Sequence, residues 1–168
     1  APSIDTLKFC PFPEAPERVI DVYAMGHRPP QTHAALVRMA ESSERYYMYD
    51  TVKNSPVTSH TEHRSRLAEL VKRSRFFLVN VASWHKGSRI EGNQELGYRF
   101  VEGAAGGAIL IGEAPRSALF EEHFGWTDAV IPVPFNSTDI ADVISELEAD
   151  PVRLDRISRT NVVNSLRS

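Results

Sequence analysis

The chain has 168 residues, a net charge of −3 and a single cysteine. That length holds one domain with a real core, and an acidic balance of interspersed charges argues against a general nucleic-acid binder. Cys10 has no partner for an internal disulfide, no apolar run approaches the roughly 20 residues that span a membrane, and no signal peptide is visible. A cytoplasmic domain is the expectation.

Prolines at 2, 11, 13 and 16 disfavour helix, so residues 1–17 read as an extended interdomain linker. The first strand is expected only afterwards, over Arg18 to Met25, as if another domain preceded it. Gly26-His27-Arg28-Pro29-Pro30 breaks that strand. Thr32 to Met39 carries apolar residues at helical spacing, and Arg45 to Tyr49 reads as a second strand. A charged helix is expected from Ser59 to Ser74, with Leu67, Leu70 and Val71 on its apolar side. Phe76 to Val81 is a continuous apolar run of strand length.

A long polar loop follows, from Ala82 to Asn93, holding Trp84, His85, Lys86, Gly87, Ser88 and Arg89. The next helix is expected over Tyr98 to Ala105, and Gly106 or Gly107 supplies its left-handed end. The remaining predictions are a strand at Ala108 to Ile111, a short helix at Ser117 to Phe124 and a strand at Ala129 to Val133. Ser137-Thr138-Asp139 reads as a capping region for a helix over Ile140 to Leu147. Pro151 opens a last helix through Leu166.

Strands and helices alternate about five times, which predicts a parallel sheet covered on both faces. The fold class is α/β: three layers around a doubly wound, mostly parallel, Rossmann-like sheet over residues 18–168. Ligands in such folds sit beyond the carboxyl ends of the strands. Three loops qualify: Gly26 to Gln31, Ala82 to Leu96, and Gly112 to Ser117.

The segment from Glu95 to Gly112 is the most informative. A helix N-terminus there offers backbone N–H groups to a phosphate. A carboxylate can accept two hydrogen bonds from a ribose diol. Glu102 reads as such a group, because a solvated charge is unexpected in a stretch of small and apolar residues. Glu95 reads equally as a sugar contact or as a residue favouring the helix dipole. Arg99 can meet a diphosphate bidentately or pair with Glu95 or Glu102. The run Gly103 to Gly107 lets the helix lie close to a sheet. Lys86, Arg89 and Gly26-His27-Arg28 lie where phosphate would bind, but the full Gly-x-Gly-x-x-Gly pattern is absent, and so are a Gly-x-Ser-x-Gly elbow and a Gly-Lys-Ser/Thr loop. His60 and His63 read as solvated, with no third metal ligand nearby.

Three places resemble a known group. Pro2-Ser3-Ile4-Asp5…Phe9…Pro11 is similar to a connector Pro-x-Gly-Val-Asp…Phe…Pro. Glu95 through Gly106 is similar to a glutamate pair followed by a Glu-x-x-Ala-x-Gly helix, and Asp139 to Asn161 is similar to a closing Asp-Ile…Leu…Asp-Pro-x-Arg…Ile pattern. Together they resemble the C-terminal, donor-binding half of a GT-B-type glycosyltransferase of the retaining, spore-maturation-like group. The resemblance implies half of a GT-B architecture that moves a sugar from a nucleotide diphosphate sugar to an acceptor. It places the ribose on Glu102 and the transferred sugar on Glu95, with Glu91 competing for that position because six residues rather than seven separate Glu95 from Glu102.

The catalytic candidates are therefore Glu95 and Arg99. The nucleotide-sugar-binding candidates are Glu102, Gly26, His27, Arg28, Lys86, Arg89 and Gly97. Neither a metal nor a cofactor is expected. The partners expected are the donor, an N-terminal acceptor domain and, through an exposed apolar interdomain face from Phe9 to Pro13 and the last helix, a second copy. No nucleic acid and no membrane span are expected. The alternatives are a non-catalytic nucleotide-binding or interaction module, and half of a sugar-nucleotide epimerase.

Overall fold

Three strands are buried along nearly their whole length, which a sheet covered on both faces requires. They are β1 (Ile20–Met25), β3 (Ser74–Val79) and β4 (Ile109–Gly112). In a computed structural model that describes residues 4–50, 59–81 and 96–167, these strands form the centre of the molecule. The shorter β2 (Tyr47–Asp50) and β5 (Ile131–Pro132) lie at the two edges. The sheet has five strands in the order β2-β1-β3-β4-β5, and every pairing is parallel.

Side chains alternate between the faces, so each strand feeds two cores. Tyr23, Phe77, Val79 and Leu110 point to one face. They meet α3 (His60–Lys72), α4 (Tyr98–Ala105) and α5 (Ala118–Phe124) through Leu67, Val71, Phe100, Phe120 and Phe124. Val22, Ala24, Phe76, Leu78 and Ile111 point to the other face. There they meet α2 (Pro30–Glu41), α6 (Ile140–Glu148) and α7 (Pro151–Ser165) through Leu36, Met39, Ile140, Ile144 and Ile157. The expected three-layer, doubly wound α/β fold is the one observed.

The observed elements depart from expectation in three instructive places. Residues 6–9 are not extended: α1 (Thr6–Phe9) makes one helical turn, capped by the Asp5 carboxylate. No proline lies between 2 and 11, which leaves this turn free to coil, and Phe9 is fully buried in the core beside α3 and α4. Phe9 therefore contributes nothing to an exposed apolar face, although Leu7 and Phe12 remain exposed. Second, β5 covers only Ile131–Pro132 of the expected Ala129 to Val133. Asp128 has a positive φ of 61° and Pro132 has no N–H, which a ladder tolerates only at an edge. Third, β3 begins at Ser74, so only Arg73 separates it from α3.

Small residues bring α4 onto the sheet. A Cβ on Gly103 would stand 2.5 Å from a Leu110 methyl and 2.6 Å from the Phe77 ring. Gly107 supplies the left-handed turn that ends this helix, with φ 70°. At the amino end of the sheet, the Arg18 guanidinium donates to the Ser74 carbonyl, to the Gly106 carbonyl and to Ser158 Oγ, tying β3, α4 and α7 together. Burial lowers its pKa to about 10. Arg153 and Arg156 of α7 both pair with Asp128 at 2.8 Å and fix the last helix against the approach to β5.

Candidate functional site

β1 and β3 are neighbours, yet the helices that follow them lie on opposite faces: α2 after β1 and α4 after β3. Strand order reverses there, and in doubly wound sheets ligands bind in the crevice beyond the carboxyl ends of two such strands. The residues beside this crevice come from the first turns of helices and from the loops before them.

On the β1 side, Gly26 has φ 98°, a conformation that favours glycine. His27 is exposed. Arg28 is folded back toward the edge strand: it donates to the Gly26 carbonyl at 3.2 Å and the Asp50 carbonyl at 3.1 Å, and lies 4.9 Å from the centre of the Tyr49 ring. The amino end of α2 is also occupied. Asn136 Oδ1 accepts from the Gln31 N–H at 2.8 Å, and Thr32 donates to the Ser137 carbonyl at 2.8 Å. The loop before α6 thus caps α2 and takes up a donor that a phosphate would have used. Nearby, His33 Nδ1 is 2.9 Å from the Tyr47 hydroxyl and its ring meets Tyr49 edge-on. Burial, then the Arg28 charge, holds His33 below its ordinary pKa of 6.5.

On the β3 side, α4 opens differently. Gly97 is its N-cap and has no side chain to cap it, and its first turn holds no acid. Arg99 stands in that turn and donates to Glu102 Oε2 at 2.6 Å. Glu102 Oε1 lies 3.5 Å from Arg64 Nη1 of α3. Glu102 itself is 1% exposed. The sequence suggested a carboxylate open to a ribose diol; in the structure it lies in the interior, with each oxygen facing a different guanidinium. The salt bridge to Glu102 is among the partnerships that the sequence offered Arg99. Glu95, Lys86 and Arg89 lie outside the described residues, as do Glu91, Trp84 and His85.

Arg64 and Arg66 are residues that the sequence reading missed. It took the 59–74 segment as a charged helix with one apolar side. The signal was present: position 64 stands one turn before Leu67 and Ala68 and two before Val71, on the stripe that faces the core. An arginine at the head of that stripe points along the sheet face toward a neighbouring helix. Arg66 lies 4.0 Å from the Asp50 carboxylate at the end of β2.

Beneath these charges sits Tyr23, 1% exposed. Burial foremost, then the Asp50 charge, pushes its pKa from 10.0 up to about 12. The consequence is a defined alkaline limit. Above pH 10.0 the unfolded chain releases a proton that the folded chain keeps, so this group's contribution falls as pH rises from 10.0 to about 12 and is constant below that window. A titration at 295 nm should show a late-ionising tyrosine that vanishes in Tyr23→Phe, and the same variant should flatten the loss of stability over that window. Burial also pushes Tyr47 up, so its still later phase should remain in Tyr23→Phe; a phase near 12 that persists in this variant would refute the assignment.

The third expected loop, Gly112 to Ser117, lines an open depression of about 920 Å³ at the ends of β4 and β5, with Phe120, Pro132 and Phe135 opposite. Ser117 caps α5 by accepting from the Phe120 N–H at 3.2 Å. Among the described residues, no group of three His, Cys, Asp or Glu side chains is placed to hold a metal ion. No helix among them is long and apolar enough to cross a membrane. Compared with protein-family models and with curated proteins, the chain matches none.

Proposed function

We propose that the domain binds the diphosphate of a nucleotide diphosphate sugar in the β1/β3 crevice and is the donor-binding half of a cytoplasmic glycosyltransferase. One observation carries this reading. The helix that follows β3 at the strand-order reversal opens on a glycine N-cap that has no side chain, holds no acid in its first turn and sets Arg99 there. Free N–H groups and a guanidinium at a helix start suit an anion. As a glycosidic bond breaks, negative charge builds on the departing diphosphate, and fixed donors stabilise it more than they stabilise the ground state. The acceptor would come from a second domain.

A titration of UDP, GDP and ADP read by thermal shift tests the reading. A ligand at 100 times its Kd stabilises by about 2.7 kcal/mol, which for a domain of this size is roughly 5–10 °C. One diphosphate should reach that shift well before the others. If none raises the melting temperature at millimolar concentration, the reading fails.

The occupied oxygens of Glu102 favour a second reading, a non-catalytic nucleotide-binding module. Incubating the domain joined to an acceptor half with a nucleotide diphosphate sugar separates the two: a transferase releases the nucleoside diphosphate, whereas a binding module holds the nucleotide sugar intact.

A further inference from the structure

Glu102 is an anion with more positive charge around it than its own neutralisation needs. Its side chain is 2% exposed, while those of Arg64 and Arg99 are 38% and 31% exposed. The carboxylate thus lies below two guanidiniums that reach toward solvent. Arg64 comes from α3 and Arg99 from α4, and each meets a different oxygen of the same carboxylate. The three groups together carry a surplus of one positive charge. Each ion pair uses one nitrogen of its guanidinium, and a guanidinium has five N–H donors. Among the described residues, neither arginine has a second acidic partner.

This surplus lies where helices make it unfavourable. Both helices start at the carboxyl edge of the sheet, Arg99 is in the first turn of α4 and Arg64 in the second turn of α3. Cations near helix starts oppose the dipole; the first turn of α3 holds Glu62 to offset Arg64, whereas the first turn of α4 holds no acid to offset Arg99. A second polar group is left over beside them. The buried Tyr23 hydroxyl feels the charges of Asp50, Arg99, Arg66 and Glu102 but makes no hydrogen bond to any described residue. A purely structural ion pair would need only one arginine on Glu102. An anion arriving from solvent offsets the second one and the helix start together.

We propose that Arg64 and Arg99 form a paired grip for a diphosphate, with the buried Glu102 acting as a positioning residue that holds the two guanidiniums side by side. Arg64 is thereby a ligand-binding residue contributed by the helix after β2. The inference rests on the donor-binding reading above for its choice of diphosphate. It departs from the expected ribose contact, since both Glu102 oxygens are engaged from within.

The test compares inorganic pyrophosphate and UDP, GDP and ADP, by calorimetry, on the wild-type chain, Arg64→Gln and Arg64→Lys. Arg64→Gln leaves the 2.6 Å Arg99–Glu102 pair in place, and its thermal unfolding reports whether the fold is kept. Loss of a charge-assisted contact should weaken pyrophosphate at least about tenfold. Arg64→Lys keeps the charge and loses the planar fork, so it should recover only part of the loss. The affinity should also fall with salt in the wild-type chain and less steeply in Arg64→Gln. Equal affinity of wild type and a folded Arg64→Gln overturns the grip, even if a nucleoside diphosphate binds and the donor reading survives. Pyrophosphate binding that needs Arg64, with no nucleoside diphosphate binding more tightly, supports the grip and overturns the donor reading. Absence of binding by every probe overturns both.

Discussion

Gly112→Ala is expected to bring the domain close to unfolding. Gly112 ends β4 with φ 142°, and an alanine Cβ there would stand 1.8 Å from the Val79 carbonyl oxygen of β3. That neighbour is sheet backbone, which no rotamer change can move. The Gly112 carbonyl also accepts from the Val133 N–H at 2.9 Å, so the residue is held from the β5 side as well. The backbone conformation costs an alanine about 1–3 kcal/mol, and separating two packed strands adds about 1–3 more. The expected loss of about 3–5 kcal/mol is a large part of the 5–15 kcal/mol that holds a typical domain together. Gly26→Ala is the control. Its φ of 98° is also a glycine conformation, but nothing lies within 4 Å of the added carbon. It should lose only about 1–2 kcal/mol. Urea midpoints followed by circular dichroism measure both, and equal losses would show that close approach of the strands is not what singles out Gly112.

The second large effect concerns the charges around Glu102. Arg64→Met with Arg99→Met leaves a carboxylate at 1% exposure without a cation. Breaking a buried ion pair from that side costs about 3–5 kcal/mol, because the stranded charge stays out of water. Glu102→Met should cost less, about 1–2 kcal/mol, since the arginine side chains are already 38% and 31% exposed and can turn to solvent. Replacing all three by methionine should recover most of the loss, because no charge is then left buried. The same triple variant should have lost its affinity for pyrophosphate. Stability would thus be restored while binding is not, a combination that packing alone does not produce. If the triple variant were as unstable as the double one, the desolvated carboxylate would not be the source of the loss.

The layered fold was legible because it rests on local signals. Phe76 to Val79 and Ile109 to Ile111 are runs that only a doubly covered strand accommodates, and Tyr98 to Ala105 has helical spacing and a glycine end. Where the reading failed, a distant partner decided the outcome. The turn at Thr6–Phe9 forms because Phe9 finds a pocket between α3 and α4. The contacts of Arg28 with the Asp50 carbonyl and the Tyr49 ring of the neighbouring strand were likewise beyond what local sequence shows.

The alternation of apolar strands and amphipathic helices determined by itself that this chain makes a parallel sheet with helices on both sides, since each element carries the pattern of its own burial. The direction in which a charged side chain turns is set by what lies across from it. Glu102 and Arg64 are 38 positions apart, and only the packing of α3 beside α4 brings them together. Tertiary structure alone therefore decided that this carboxylate faces two arginines in the interior: in a low-dielectric site a buried charge goes where opposite charge is already held.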